Sequence, residues 1–235
     1  MAQFAEASYL YNKKNLNKQQ RIDRINDKFS EEGYQIHPSS NRDVQLYTKD
    51  DYNGDGGRHV VIAHRGTDFS GRSIAKDIKA DLSYILGKED EWTKAFKQRD
   101  RKTDSIMKDA KVTDDDHVTL VGHSLGGASA YHTILRNPKI RDKIDNVELY
   151  NPLTHNVKQV KLNTGNDIKE LAEKQVNKLI TTHRTSNDIA SIIKQDYGKV
   201  KNYKQKYHAK KFNPSFQKIF DKAEQLSAHT IKNFT

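Results

Sequence analysis

Cysteine is absent from this 235-residue chain. No disulfide can staple the fold, and neither a cysteine nucleophile nor a thiolate metal site is available. No stretch approaches the ~18 apolar residues of a membrane span. The opening Met1-Ala2-Gln3-Phe4-Ala5-Glu6-Ala7 lacks the basic start and apolar run of a signal peptide. These absences favour a soluble protein in a reducing, cytoplasmic compartment. Internal repeats, low-complexity tracts and Pro/Gly-rich linkers are also missing, so a single domain over residues 1–235 is expected.

Hydrophobic residues make up only 34% of the chain and charged residues 31%. The apolar residues concentrate in short runs such as Val60-Val61-Ile62-Ala63 and Val118-Thr119-Leu120-Val121. Runs of that length and composition are the mark of buried strands. The net charge of +10 favours anionic partners, membranes with acidic headgroups or nucleic acid. From Lys194 to Lys222, nine lysines stand against two acids, with Tyr197, Tyr203, Tyr207, Phe212, Phe216 and Phe220 interleaved. A solvated lysine-rich surface with inward aromatics accounts for this segment, and contact with an anionic surface is the sharper reading. No nucleic-acid motif accompanies it, which ranks nucleic acid below membrane.

Residues 3–28 read as helix, with Phe4, Ala7, Leu10 and Tyr11 at helical spacing. Val44 to Thr48 and His59 to Ala63 read as a strand pair around the turn at Asn53-Gly54-Asp55-Gly56-Gly57. Helices are expected at 70–83, 89–109, 126–136 and 167–178, and strands at 117–121, 147–150 and 179–183. Helical signals dominate the remainder. Strands alternating with helices imply an α/β fold, its mainly parallel sheet covered by helices on both faces. Gly54-Asp55-Gly56 and Asp114-Asp115-Asp116 lack EF-hand ligand spacing and read as a turn and a solvated loop.

Gly122-His123-Ser124-Leu125-Gly126 directly follows a predicted buried strand and directly precedes a helix rich in small residues. Gly-x-Ser-x-Gly alone says little, but in that setting it is a nucleophile elbow. The serine must project from a sharp strand-to-helix turn, and glycines on either side let strand and helix approach. The helix N-terminus then aims N–H groups at the site, with the Leu125 N–H placed to bind an oxyanion. Ser124 is the candidate nucleophile.

With these residues in view, the sequence resembles the class 3 (fungal-type) lipase family. Val60-Val61-Ile62-Ala63-His64-Arg65-Gly66-Thr67 resembles that family's strand ending in Phe-Arg-Gly-Thr/Ser, with His64 in place of the usual Phe. The resemblance makes Thr67 the second oxyanion donor beside Leu125. Residues 70–80, running into Ala80-Asp81-Leu82, resemble the family's lid helix. Only Ile74, Ala75 and Ile78 form its apolar stripe, among Arg72, Lys76 and Lys79. That composition suits anionic phospholipid or a more soluble ester better than triacylglycerol.

The family's triad order is Ser, Asp, His. Asp188, in the loop after the strand at 179–183, matches its acid. Of the histidines that follow, His208 and His229, the resemblance favours His229 as the base, with His208 inside the lysine-rich segment. The resemblance implies an α/β-hydrolase with a short lid helix that cleaves lipid acyl esters through an acyl-enzyme, with neither metal nor cofactor. A small-ester carboxylesterase and a hydrolase-fold protein that binds without turnover are the competing readings. The first 30 residues carry no family signature.

Overall fold

The computed structural model describes residues 1–11, 16–52, 54, 56–66, 89–153, 172–185 and 198–204. Two helices come first, α1 (Ala2–Leu10) and α2 (Lys18–Phe29). The strands β1 (Gln35–Ile36), β2 (Val44–Lys49) and β3 (His59–His64) follow. Next come α3 (Glu89–Asp109), β4 (His117–His123), α4 (Leu125–Arg136), the short α5 (Pro138–Arg141) and β5 (Asn146–Tyr150). A π-helical turn (Ala172–Val176), β6 (Ile180–Thr185) and β7 (Lys199–Tyr203) complete the described elements.

The seven described strands form one sheet in the order β1-β2-β3-β4-β5-β6-β7. β1, β2 and β3 pair antiparallel, and β3 through β7 are all parallel. The β2–β3 hairpin expected from the sequence is present in the register Val44↔His64 to Lys49↔His59. Alternation along each strand divides the apolar side chains between two layers. Val60, Ile62, Val118, Leu120, Val147 and Leu149 pack with α3 and α4. Tyr47, Val61, Ala63, Val121 and Tyr150 pack with α1 and α2. A mainly parallel sheet covered on both faces, with a strand–elbow–helix at its centre, is the α/β-hydrolase architecture.

The first helical segment is two helices rather than one. Asn17 starts the second through a capping box: its side chain accepts from the Gln20 N–H, and the Gln20 side chain accepts from the Asn17 N–H. α2 buries Ile22, Ile25 and Phe29, a single helical stripe. α1 buries Phe4, whose ring stacks on Phe29 at 4.5 Å and meets Tyr34 edge-on at 4.8 Å. The N-terminal helix is thereby welded to the sheet.

Two other expectations change. β7 stands where helical signals were read. It is an exposed strand rich in lysine, so it lacks the apolar run that betrays a buried strand, and lysines guard it against edge pairing. Asp116 is not in a solvated loop but buried. Arg58 donates to both its oxygens, Nε to Oδ1 at 2.8 Å and Nη2 to Oδ2 at 2.7 Å, tying the starts of β3 and β4. The helix at 70–83 and residues 167–171 of that at 167–178 lie outside the described residues, as does all but a short stretch of the lysine-rich segment; the described remainder, 172–178, is a π-helical turn that gives way to a turn rather than an α-helix. Among the described residues, no helix is long and apolar enough to cross a membrane.

Phe4→Ala is expected to destabilise the protein by about 3–5 kcal/mol, because the stacked aromatic cluster cannot close over the lost ring. Urea unfolding followed by circular dichroism measures it, and an unchanged midpoint would show that α1 is dispensable.

Candidate active site

β4 runs through the centre of the sheet with Val118, Leu120 and Val121 fully buried. It ends at His123, and α4 begins at Leu125. The single residue between them, Ser124, has φ 57° and ψ −125° and is fully buried. L-residues rarely adopt this backbone conformation, which costs on the order of 1–3 kcal/mol. Hydrogen bonds on both sides of the residue hold it there. Its N–H donates to the Tyr150 carbonyl at 3.0 Å. Its carbonyl accepts from Gly127 at 3.0 Å, Ala128 at 3.2 Å and Leu153 at 3.0 Å. The turn is locked to β5 and to its own helix at once.

The glycines around Ser124 mark close approach. A Cβ on Gly122 would lie 2.5 Å from the Gly126 carbonyl oxygen, and one on Gly126 would lie 2.1 Å from the His64 carbonyl oxygen. The end of β3 therefore lies directly on the first turn of α4. Leu125 is the first residue of that helix, and its N–H has no acceptor within the helix. Gly66 follows β3 beside it. This brings the chain leading to Thr67 up against the elbow; Thr67 itself lies outside the described residues.

The end of β3 is held from below by polar groups that the sequence reading missed. His64 is fully buried, its Nδ1 3.1 Å from Ser129 Oγ on α4 and its Nε2 2.9 Å from Thr103 Oγ1 on α3. Burial, reinforced by the Arg99 charge, pushes its pKa down to about 3, so the ring is neutral. Arg99 donates to the Arg65 carbonyl at 2.8 Å, and Arg65 Nε donates to the Arg42 carbonyl at 2.8 Å. His64 is thus more than an aromatic filler at a strand end. It is a bridging group that joins β3, α3 and α4.

On the other side of the elbow, Asn151 adopts φ 41° just after β5. Its N–H donates to the His183 carbonyl at 2.8 Å, and its amide clasps Thr185 through Nδ2 to Oγ1 at 2.8 Å and Oδ1 from the Thr185 N–H at 3.0 Å. This fixes the point where the chain leaves β6, three residues before Asp188. Asp188, His229 and His208 lie outside the described residues, as does the lid at 70–80. Of the sequence-predicted site, Ser124 and Leu125 are described, and they stand together at the elbow. The N-terminal helix also reaches this place. Tyr9 Oη lies 2.8 Å from His123 Nδ1, a contact the helical spacing of apolar residues gave no reason to single out.

No protein-family model and no curated protein matches the chain. Solved lipase structures are similar to it. A mutant of MDLA from Penicillium cyclopium is 16% identical over 91% of this chain and 81% of its own, with a TM-score of 0.43. A fungal lipase is 17% identical over 91% of this chain and 81% of its own, with a TM-score of 0.42.

Two outcomes follow from this geometry. Glycine tolerates the Ser124 backbone and alanine does not, so Ser124→Gly is expected to unfold at higher urea than Ser124→Ala, by about 1 kcal/mol. The reverse order, usual outside strained sites, would mean the turn is relaxed in solution. The second concerns acid. The His64 pKa is depressed in the fold, so below about pH 6.5 the unfolded chain takes up a proton that the folded chain refuses. Stability is lost as pH falls, by about 2 kcal/mol at pH 5 from this residue. Unfolding titrations at pH 7 and pH 5 should show a smaller drop in His64→Phe than in wild type; equal drops would contradict a buried neutral His64.

Proposed function

We propose that this chain is a serine ester hydrolase of lipase type, cleaving acyl esters of lipids through an acyl-enzyme on Ser124. The observation that carries this is the backbone of Ser124, strained and fastened between β4 and the N-terminus of α4. An ordinary strand-to-helix turn has no need of a buried serine at positive φ; a nucleophile elbow does.

In this reading His229, oriented by Asp188, takes the Ser124 proton as Oγ attacks the ester carbonyl carbon. The carbonyl oxygen becomes an oxyanion, held by the N–H groups of Leu125 and Thr67. The tetrahedral intermediate collapses, His229 gives its proton to the departing alcohol, and the acyl group remains on Ser124. Water, deprotonated by His229, attacks the acyl-enzyme in the same way and releases the carboxylic acid. No step calls for a metal or a redox group.

The net charge of +10 favours an anionic lipid surface as the place where substrate is met. Lys199, Lys201 and Lys204 are exposed on and beside β7, in keeping with peripheral contact there. Few apolar residues lie in 70–79, which favours phospholipid over triacylglycerol.

Hydrolysis of short- and long-chain p-nitrophenyl esters, with and without anionic phospholipid vesicles, tests the proposal. Wild type should turn over both, faster with long chains or vesicles, and Ser124→Ala should lose activity by a factor on the order of 10⁴ or more. Short chains preferred with no vesicle effect would select a small-ester esterase. Absence of turnover in folded wild type would leave a hydrolase fold used for binding.

A further inference from the structure

We infer that Tyr9, on the N-terminal helix, is a positioning residue for the nucleophile and for the turn opposite it; this rests on the ester hydrolase reading above. Three observations converge on one small volume. Tyr9 Oη is 2.8 Å from His123 Nδ1, and the two rings meet edge-on with centroids 5.9 Å apart. The point where a Cβ would stand on Gly66 is 2.3 Å from Tyr9 Oη and 2.5 Å from the His123 carbonyl oxygen. That same point is 3.3 Å from Ser124 Cβ. The tyrosine hydroxyl is therefore wedged between the residue before the nucleophile and the glycine before Thr67.

Tyr9 is only half-buried, but its helix is not free to drift. Phe4, five residues earlier, is locked into the Phe29 and Tyr34 rings. Tyr11, two residues later, donates to the Ser40 carbonyl at 2.7 Å. The hydroxyl is thus delivered from a rigid base. It touches His123 at the end of β4 and Gly66 two residues past the end of β3, and so bears on how closely the chain leading to Thr67 approaches the elbow. Either tautomer of His123 serves: the ring accepts from Tyr9 Oη, or donates to it. A single neutral hydrogen bond adds only about 1 kcal/mol to stability. Its weight here is geometric, because a misplacement of about 1 Å at a reacting centre costs on the order of 10²-fold in rate.

The test is the second-order rate at which a fluorophosphonate labels Ser124, read by mass spectrometry, beside ¹⁵N shifts of the His123 ring. Tyr9→Phe keeps the aromatic ring and loses the hydroxyl. It should label about tenfold to a hundredfold more slowly than wild type, with stability in urea lowered by no more than about 1 kcal/mol and a shifted His123 Nδ1 resonance. His123→Asn keeps a polar atom near the Nδ1 position and should recover most of the rate that His123→Leu loses. Labelling of Tyr9→Phe within twofold of wild type overturns the proposal. So does a slow rate that merely tracks unfolded protein, and so do equal losses in His123→Asn and His123→Leu. Failure of wild type to label at Ser124 overturns the nucleophile reading itself, and this inference with it.

Discussion

The strained backbone of Ser124 is the constraint on which the remaining geometry depends. A residue at φ 57° persists only where its surroundings over-determine it. Here the Tyr150 carbonyl fixes its N–H, and three N–H groups from Gly127, Ala128 and Leu153 fix its carbonyl. The Tyr150 and Leu153 partners are in place because β5 lies parallel beside β4 in the register His123↔Tyr150, and the other two come from the first turn of α4. The sheet order is thus the cause of the elbow, and the elbow in turn places the α4 N-terminus beside the serine.

The site is then closed by packing from three directions. From β3, the His64 carbonyl region sits against Gly126 with no room for a side chain. From β6, Thr185 is clasped by Asn151. From α1, Tyr9 meets His123. Each support is polar, and all but the half-buried Tyr9 are buried; buried polar groups hold a unique arrangement only when hydrogen-bonded. His64 shows the cost as well as the gain. Satisfied and neutral, it joins three elements; protonated, it would leave a charge enclosed between two hydroxyls.

Much of this was legible in the sequence, and unevenly. Val60 to Ala63 and Val118 to Val121 announced buried central strands because parallel strands covered on both faces need continuous apolar runs. The glycines at 122 and 126 announced a close approach, and Ser124 announced the turn. β7 was illegible because Lys199, Lys201 and Asn202 are strand residues facing solvent, where no apolar pattern is required. The break between α1 and α2 has a trace in the sequence after all: the apolar spacing lapses between Tyr11 and Ile22, with Leu16 alone between them, and the Asn17–Gln20 cap marks the new start. Tyr9, His64 and Asn151 were illegible for another reason: their roles come from partners 114, 65 and 34 residues away, which no local pattern contains.

The central claim is that Ser124 becomes acylated during turnover. Acid-quenching the enzyme while it hydrolyses a slowly deacylating p-nitrophenyl ester, then mapping the added mass by peptide mass spectrometry, tests this directly. The account predicts one acyl group per chain, on the peptide containing Ser124. Turnover with no trapped acyl group, or with the acyl group on another residue, would contradict it.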